Sequence, residues 1–341
     1  MDEYSNKTAY SIKSDAMRYT WAGYYLFIIT SSFIGDTTIL IASIKYKAFK
    51  LHRVIIAVIQ HIAFCDLMLS ATYLLPNMVS IIADKWVLGN IFCNFYPYST
   101  YWLTVTSILL LCTMTTSKLL LLKYPLKFGT TTSKKAHLIC VACWLAALIP
   151  PMTLLLVDED LDGVIFSYNS YKCWLHNGNS RIWHYLGPFM AVLFAFIPTC
   201  LIVSTTLCLL IEARKIVSRS RFLHVVACTP AEKGLQRGSR NRESLKWQGI
   251  VTTVLTATVF SLSSVPYTAY LVGSSIVSVD DKSKSSFYTT FFKVALSLTC
   301  LNIISNFYIY SLTLTSFRAF IRSKMQLSCQ CITNMETSHG N

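Results

Sequence analysis

The sequence predicts an all-α membrane protein: a seven-transmembrane helix bundle with a short amphipathic eighth helix. Two observations predict this class, namely seven apolar stretches and a concentration of Lys and Arg in alternate connections between them. An α-helix rises about 1.5 Å per residue, so roughly 20 apolar residues cross the hydrocarbon core. Lipid offers no partner to backbone polar groups, which favours helices over open sheets. The predicted spans are residues 21–44, 54–82, 93–122, 136–157, 183–211, 248–276 and 287–314.

The distribution of basic residues predicts the orientation. Four Lys and Arg lie within residues 45–53, five within 118–135, nine within 214–246 and three within 318–324. The positive-inside rule assigns these segments to the cytoplasm. An odd number of spans then puts the amino terminus outside a multi-pass plasma-membrane protein and the carboxyl terminus inside. Asn6 begins an Asn-Lys-Thr glycosylation acceptor on the predicted outer side, so we expect a glycan there.

We predict three segments: an extracellular one (1–20), a seven-transmembrane domain (21–314), and an amphipathic helix with a cytoplasmic tail (315–341). The polar loop between the fifth and sixth spans is expected to extend both helices at its ends. Apolar and basic residues alternate around Phe317, which predicts a helix lying on the membrane surface. Cys329 and Cys331 follow it as candidate palmitoylation sites. The net charge of +14 reflects these inner segments and their attraction to anionic lipid, so no nucleic-acid partner is expected.

The predicted topology sorts the 12 cysteines. Ten lie within spans or on the cytoplasmic side, where reducing conditions keep thiols free. Only Cys93, at the start of the third span, and Cys173, in the second outer loop, face the oxidising exterior. A disulfide between them would hold that loop across the mouth of the bundle. The alternative is two free exterior thiols.

Local patterns add to this topology. They are Trp86-x-x-Gly89-x-x-x-Cys93 after the second span, Asp66 within the second, Trp144 in the fourth, Pro198 in the fifth, Pro266 in the sixth, and Asn306-Phe-Tyr-Ile-Tyr310 followed by Phe317. Together with the cysteine pair, these patterns resemble the rhodopsin-like (class A) G-protein-coupled receptors over nearly the whole chain. The resemblance implies an extracellular ligand, a heterotrimeric G protein, and arrestin as a further partner. It implies no catalytic residue.

The activation motifs depart from the family pattern. Ser117-Lys118-Leu119 stands where the family has Asp-Arg-Tyr, Thr206 replaces a tyrosine, and Phe307 replaces a proline. Lysine keeps the charge of arginine but loses its bidentate geometry. The list of switch residues that the resemblance implies is Ser117, Lys118, Thr206, Lys246 and Tyr310.

Two cations, Lys118 and Lys246, take the place of an ion pair at the inner mouth. No attraction between opposite charges then stabilises the closed inner mouth. This predicts a weakly latched inactive state with ligand-independent signalling. The alternative is that Lys118 extends its ammonium group to the lipid boundary.

Polar residues at mid-membrane predict a cation pocket. The resemblance implies a sodium site at Asp66, Ser107, Asn302 and Asn306, and oxygen ligands suit such a hard cation. This chain adds Asp36 in the first span. Two nearby carboxylates cannot both ionise cheaply without cations, so we expect one of them to be protonated at neutral pH, or sodium to be firmly bound. Alternatively, Asp36 only ties neighbouring helices together. No other metal or cofactor is expected.

The sequence indicates the ligand class less clearly than it indicates the fold. The candidate cleft residues are Thr100, Tyr101, Thr104, Tyr267, Tyr270 and Lys293. No acid lies between Cys93 and Lys118, which argues against a small protonated amine. The acids at 158–160 and nearby aromatic residues would suit a basic peptide. A run of acids is more often a solvated face, and core packing explains the tyrosines about equally well, so the prediction is a peptide or a non-aminergic small molecule.

Two other classes remain open. One is an atypical seven-helix receptor that does not couple to G proteins or is constitutively active. The other is an ion-translocating transporter with Asp36, Asp66 and Asn302 along its path, although seven spans do not divide into two equal repeats. An enzyme is not predicted, because the sequence contains no phosphate loop, metal-spaced cluster or nucleophile elbow.

Overall fold

A computed structural model describes residues 15–45, 52–157, 164–167, 172–175, 186, 189–226, 233–276, 286–323 and 326. Within these ranges seven helices are long and apolar enough to cross a membrane, which confirms the predicted bundle. The first three helices are α1 (Asp15–Lys45), α2 (Arg53–Leu69 continuing through Ser70–Leu74 into Leu75–Ala83) and α3 (Gly89–Lys123). They are followed by α4 (Ser133–Ala146 and Ile149–Val157), α5 (Val192–Phe196 continuing into Ile197–Val226), α6 (Lys233–Ile276), α7 (Ser286–Thr313) and the short α8 (315–323).

A hairpin joins the bundle between α4 and α5. Its antiparallel strands are β1 (Val164–Ser167) and β2 (Lys172–Leu175), and Phe166 pairs with Cys173. The end of the bundle that carries this hairpin is called the disulfide end below. The opposite end, which carries α8, is called the α8 end.

The observed helices follow the predicted spans closely, with differences at their ends. Helix α1 begins at Asp15 rather than at residue 21. Helix α5 continues to Val226 and α6 already begins at Lys233, so the connection between them extends both helices, as the sequence predicts.

Prolines account for the irregular turns. Pro76 and Pro198 follow π-helical turns at Ser70–Leu74 and Val192–Phe196. A proline ring clashes with the carbonyl four residues earlier and donates no hydrogen bond, and one wider turn relieves both problems. Helix α4 is interrupted at residues 147–148, and Pro150 and Pro151 are the second and third residues of its continuation.

A close contact between α1 and α7 depends on a glycine. A Cβ atom on Gly35 would lie 2.7 Å from Cβ of Phe307 and 2.8 Å from its Cγ. The ring of Phe307 then meets the ring of Phe317 edge-on, with 6.2 Å between centroids. Phe317 is fully buried, so this contact anchors α8 to α7.

Tryptophan and histidine side chains join α2, α3 and α4. The indole N–H of Trp144 donates to Nδ1 of His61 at 3.2 Å, and the indole N–H of Trp102 donates to the Trp144 carbonyl at 3.1 Å. Nε2 of His61 lies 3.2 Å from Nδ1 of His137. Because Nδ1 of His61 accepts from the indole, a neutral His61 carries its proton on Nε2 and donates it to His137.

Candidate functional site

The predicted disulfide is present at the disulfide end. Cys93 in the first turn of α3 is bonded to Cys173 in β2, with Cα atoms 5.4 Å apart. Both residues are buried. Gly89 starts α3 with a φ of +81°, a conformation that a Cβ atom disfavours, and its carbonyl accepts from the Trp86 indole at 2.9 Å. The residues of the Trp-x-x-Gly-x-x-x-Cys pattern therefore form the turn that positions Cys93 against the hairpin.

The candidate cleft residues on α3 and α6 differ in exposure. Thr100 and Tyr101 are half-buried, Thr104 is exposed and Tyr267 is half-buried. Thr100 and Thr104 donate to the carbonyls four residues earlier in α3, at 2.8 Å each. Their hydroxyls can still accept a hydrogen bond from a ligand.

A buried tyrosine cluster beside this region escaped the sequence reasoning. Tyr25, Tyr73 and Tyr96 come from α1, α2 and α3 and are all buried. The Tyr96 hydroxyl donates to the Tyr73 carbonyl at 3.3 Å, and the two rings lie 6.0 Å apart. Tyr24 donates to the Ser297 carbonyl of α7 at 2.6 Å. No sequence spacing signals this cluster, because it depends on how separate helices are rotated.

The mid-membrane acids come together. Asp36 of α1 and Asp66 of α2 are almost fully buried, and their carboxyl groups interact electrostatically. Asn306 of α7 donates its side-chain N–H to Oδ2 of Asp66 at 2.9 Å. Ser32 donates to Oδ2 of Asp36 at 2.6 Å and accepts from Ser70 at 2.8 Å. The sequence reasoning placed Asp36 with Asp66 but missed the two serines.

Three oxygen atoms of this cluster lack a donor. Oδ1 of Asp36, Oδ1 of Asp66 and Oδ1 of Asn306 are buried, and no group in the described part of the chain donates to them. A proton on one of the carboxyl groups, or a bound cation, would supply the partner that these atoms lack. Ser107 of α3 is buried and Asn302 of α7 is half-buried, but no hydrogen bond joins either side chain to Asp66 within the described ranges.

At the α8 end, Lys118 of α3 is 8% exposed. Within the described ranges it has no ion-pair partner, since the ion pairs there join Arg18 to Asp84 and Lys215 to Glu212. A buried ammonium without an acidic partner is costly, so Lys118 is a candidate functional residue.

Other predicted switch residues surround this end of the bundle. Ser117 is half-buried, and Thr206 of α5 is buried and donates to the Ile202 carbonyl at 2.6 Å. Tyr310 of α7 is buried, and its hydroxyl interacts electrostatically with the two mid-membrane acids. Oγ1 of Thr205 in α5 lies 3.1 Å from Oγ1 of Thr115 in α3, so the two helices are in contact there.

Some of the predicted residues are not among those that the structure describes. Asn6, Cys329 and Cys331 lie outside the described residues. Helices α6 and α7 include Lys246, Tyr270 and Lys293, whose side chains also lie outside the described part; the same holds for the acids at 158–160.

Comparison with known proteins decides the family. The family described as 7 transmembrane receptor (rhodopsin family) matches residues 35–310. The chain belongs to this family. It is therefore a G-protein-coupled receptor of the rhodopsin-like class and a multi-pass protein of the plasma membrane, and not an enzyme.

Among the receptor's relatives is Cysteinyl leukotriene receptor 1 of Cavia porcellus, 23% identical over 57% of this chain and 57% of the relative. Alpha-1A adrenergic receptor of Oryzias latipes is 27% identical over 34% of this chain and 24% of the relative. The chain thus matches less than two thirds of the length of either. A crystal structure of squid rhodopsin superposes with a TM-score of 0.75 at 14% identity, covering 93% of this chain and 88% of that one. This similarity confirms the fold.

Proposed function

We propose that the receptor binds an extracellular ligand at its disulfide end and activates a heterotrimeric G protein at its α8 end, which faces the cytoplasm. A ligand with higher affinity for a conformation in which α6 has moved outward shifts the population toward it. Arrestin would be a further partner of the same end.

The observation that carries this proposal is the buried Lys118. It occupies the position of the family's arginine and has no acidic partner within the described ranges. An ammonium group in that state can donate charge-assisted hydrogen bonds to carboxylate or carbonyl oxygens of an entering protein segment. Helices α5 and α6 both extend at this end, up to Val226 and from Lys233, and so provide flanks for such a segment.

The test is ligand-free activation of G proteins in cells, measured as dissociation of each Gα class from its βγ subunits at increasing receptor expression. We expect one class to respond. Lys118→Ala should abolish the response, because the charge is lost, whereas Lys118→Arg should retain it. Lys123→Ala is the matched control, since that lysine lies five positions later in α3 and is exposed.

A flat response of every Gα class at verified surface expression would contradict the weakly latched inactive state and its ligand-independent signalling. A response that survives Lys118→Ala would show that this lysine is not the contact.

For the ligand we propose a peptide or a non-aminergic small molecule. The segment of α3 from Cys93 to Lys118 contains no acid that could pair with a small amine, although one relative is an adrenergic receptor by name. Half-buried Tyr101 and Tyr267 supply aromatic surface with hydroxyl groups. Lys293 would pair with an anionic group.

We also propose that the mid-membrane cluster holds a sodium ion. Three buried oxygen atoms without a donor, on Asp36, Asp66 and Asn306, fit a hard cation. Ser107 and Asn302 would complete the shell, directly or through water. When bound, the ion would supply positive charge to the two carboxylates and hold α1, α2 and α7 in the ligand-free arrangement.

A further inference from the structure

Hydrogen bonds between neutral groups join α6 to α7 and α8 at the α8 end. Oγ1 of Thr252 in α6 lies 2.7 Å from Oγ1 of Thr313, the last residue of α7. Oε1 of Gln248, one turn earlier in α6, accepts from the hydroxyl of Thr315 at 3.2 Å and from its backbone N–H at 3.4 Å. We call these four residues the hydroxyl clasp.

Counting protons shows that the threonine contact must be a bond between helices. Oγ1 of Thr252 also lies 2.7 Å from the Gln248 carbonyl, and Oγ1 of Thr313 lies 2.7 Å from the Ile309 carbonyl. Each hydroxyl has one proton, so two protons serve three contacts. If both donated within their own helices, two oxygens would face each other at 2.7 Å with no proton between them. One proton therefore crosses from one helix to the other.

The second contact involves the beginning of α8. The first backbone N–H groups of a helix have no partner within that helix. Thr315 is the first residue of α8, and Gln248 accepts its N–H from across the gap, as a capping side chain would. Movement of α6 away from the bundle would leave this N–H to water. The position of α6 and the order of the first turn of α8 are therefore linked.

No ion pair contributes to this closure within the described ranges. Lys118 has no acidic partner there, and the pair Lys215–Glu212 lies within α5 alone. Thr252 is 3% exposed, so its hydroxyl does not exchange its partner for water while the end is closed. The clasp is neutral, and salt should hardly weaken it.

We propose that Thr252, Thr313 and Gln248 are positioning residues that hold α6 closed and so set the fraction of ligand-free receptor whose α8 end is open. The consequence for signalling rests on the proposed function, because a G protein enters at the opened end. Loss of one neutral hydrogen bond should raise the open-to-closed ratio roughly two- to tenfold.

The test measures the opening itself, in purified full-length receptor in lipid nanodiscs without ligand or partner protein. Spin labels on noncanonical amino acids replace two exposed residues, Trp247 of α6 and Leu126 of the short helix Pro125–Phe128 that follows α3. Pulsed dipolar spectroscopy gives the distribution of distances between the two labels. Thr313→Val removes the hydroxyl at nearly constant shape and should raise the long-distance population roughly two- to tenfold. Thr313→Ser should leave it unchanged. Thr253→Val is the matched control, because that hydroxyl donates to the Gly249 carbonyl within α6.

An unchanged distance distribution in Thr313→Val would overturn the proposal. An equal shift in Thr253→Val would also overturn it, because the effect would then be due to packing.

Gln248→Leu should open α6 and also speed hydrogen exchange of the Thr315 amide. Basal Gα dissociation is measured on the same variants. A distance shift without any Gα response would leave the clasp standing and reject the G-protein coupling. A Gα response with no distance shift would reject the hydroxyl clasp and leave the G-protein coupling standing.

Discussion

The contact between Gly35 and Phe307 leads to a quantitative prediction for Gly35→Ala. The new methyl carbon would lie 2.7 Å from Cβ of Phe307, whereas carbon atoms in contact prefer about 3.5–4.0 Å. Since Cβ is attached directly to the backbone, no rotation of the ring relieves the clash, and α1 must move away from α7 by about 1 Å. Overpacking of this kind costs about 1–3 kcal/mol.

The matched control is Gly23→Ala in the same helix, where an added Cβ meets nothing within 4 Å. Alanine is favoured over glycine within a helix by about 1 kcal/mol, and both variants gain this amount. The difference between them therefore isolates the clash. We expect Gly35→Ala to have the lower thermal midpoint, measured with a thiol-reactive fluorophore that reports exposure of the buried thiols Cys65, Cys140 and Cys300.

A second background tests the cause. Phe307→Gly removes all three carbons that the new methyl group would meet, so Gly35→Ala should carry no penalty there. Phe307→Ala retains the Cβ atom, and most of the penalty should persist. Equal midpoints for Gly35→Ala and Gly23→Ala, or an undiminished penalty in the Phe307→Gly background, would refute this reasoning.

Two further predictions concern the centre of the bundle. Exchanging choline chloride for NaCl should raise the thermal midpoint of the unmutated receptor. Asp66→Asn should abolish this rise, because the amide cannot balance the charge of a cation. A rise of unchanged size would exclude Asp66 as a sodium ligand. Asp36→Asn should shift the NaCl concentration for half the effect, and unchanged sodium and pH responses would show that the two acids act independently. Trp144→Phe should lower the free energy of unfolding by about 1–3 kcal/mol, since Nδ1 of His61 loses its donor. His61→Leu in the Trp144→Phe background should recover part of that loss in chemical unfolding, and an additive loss would count against the hydrogen bond as the cause.

Features set by composition along the chain could be predicted from the sequence. Hydropathy located the seven spans, and the distribution of charge singled out Cys93 and Cys173 as the bridged pair. Asp66 was placed at mid-membrane by its depth within the second span, whereas Asp36 was placed beside it through the resemblance to the receptor family. The spans, the cysteine pair and the depth of Asp66 need only helix length and the side of the membrane.

Features set by the rotation of one helix against another could not be predicted. Ser32 and Ser70 are ordinary hydroxyl residues in spans rich in them, and only their observed facing positions join them to Asp36. The same holds for Thr252 and Thr313. The expectation of a weakly latched state considered charges alone, and it stays a prediction because the side chain of Lys246 lies outside the described residues. The hydroxyl clasp adds an attraction that charge counting does not include.

The wide turn at Ser70–Leu74 changes how positions along α2 should be mapped. One additional residue in a turn advances the remaining helix by about 100° around its axis, since a turn holds about 3.6 residues. Stepping from Asp66 in threes and fours would therefore assign residues beyond Leu74 to the wrong side of α2. Scanning mutagenesis, crosslinking or transfer of contact positions from a homologue should restart its register at Pro76.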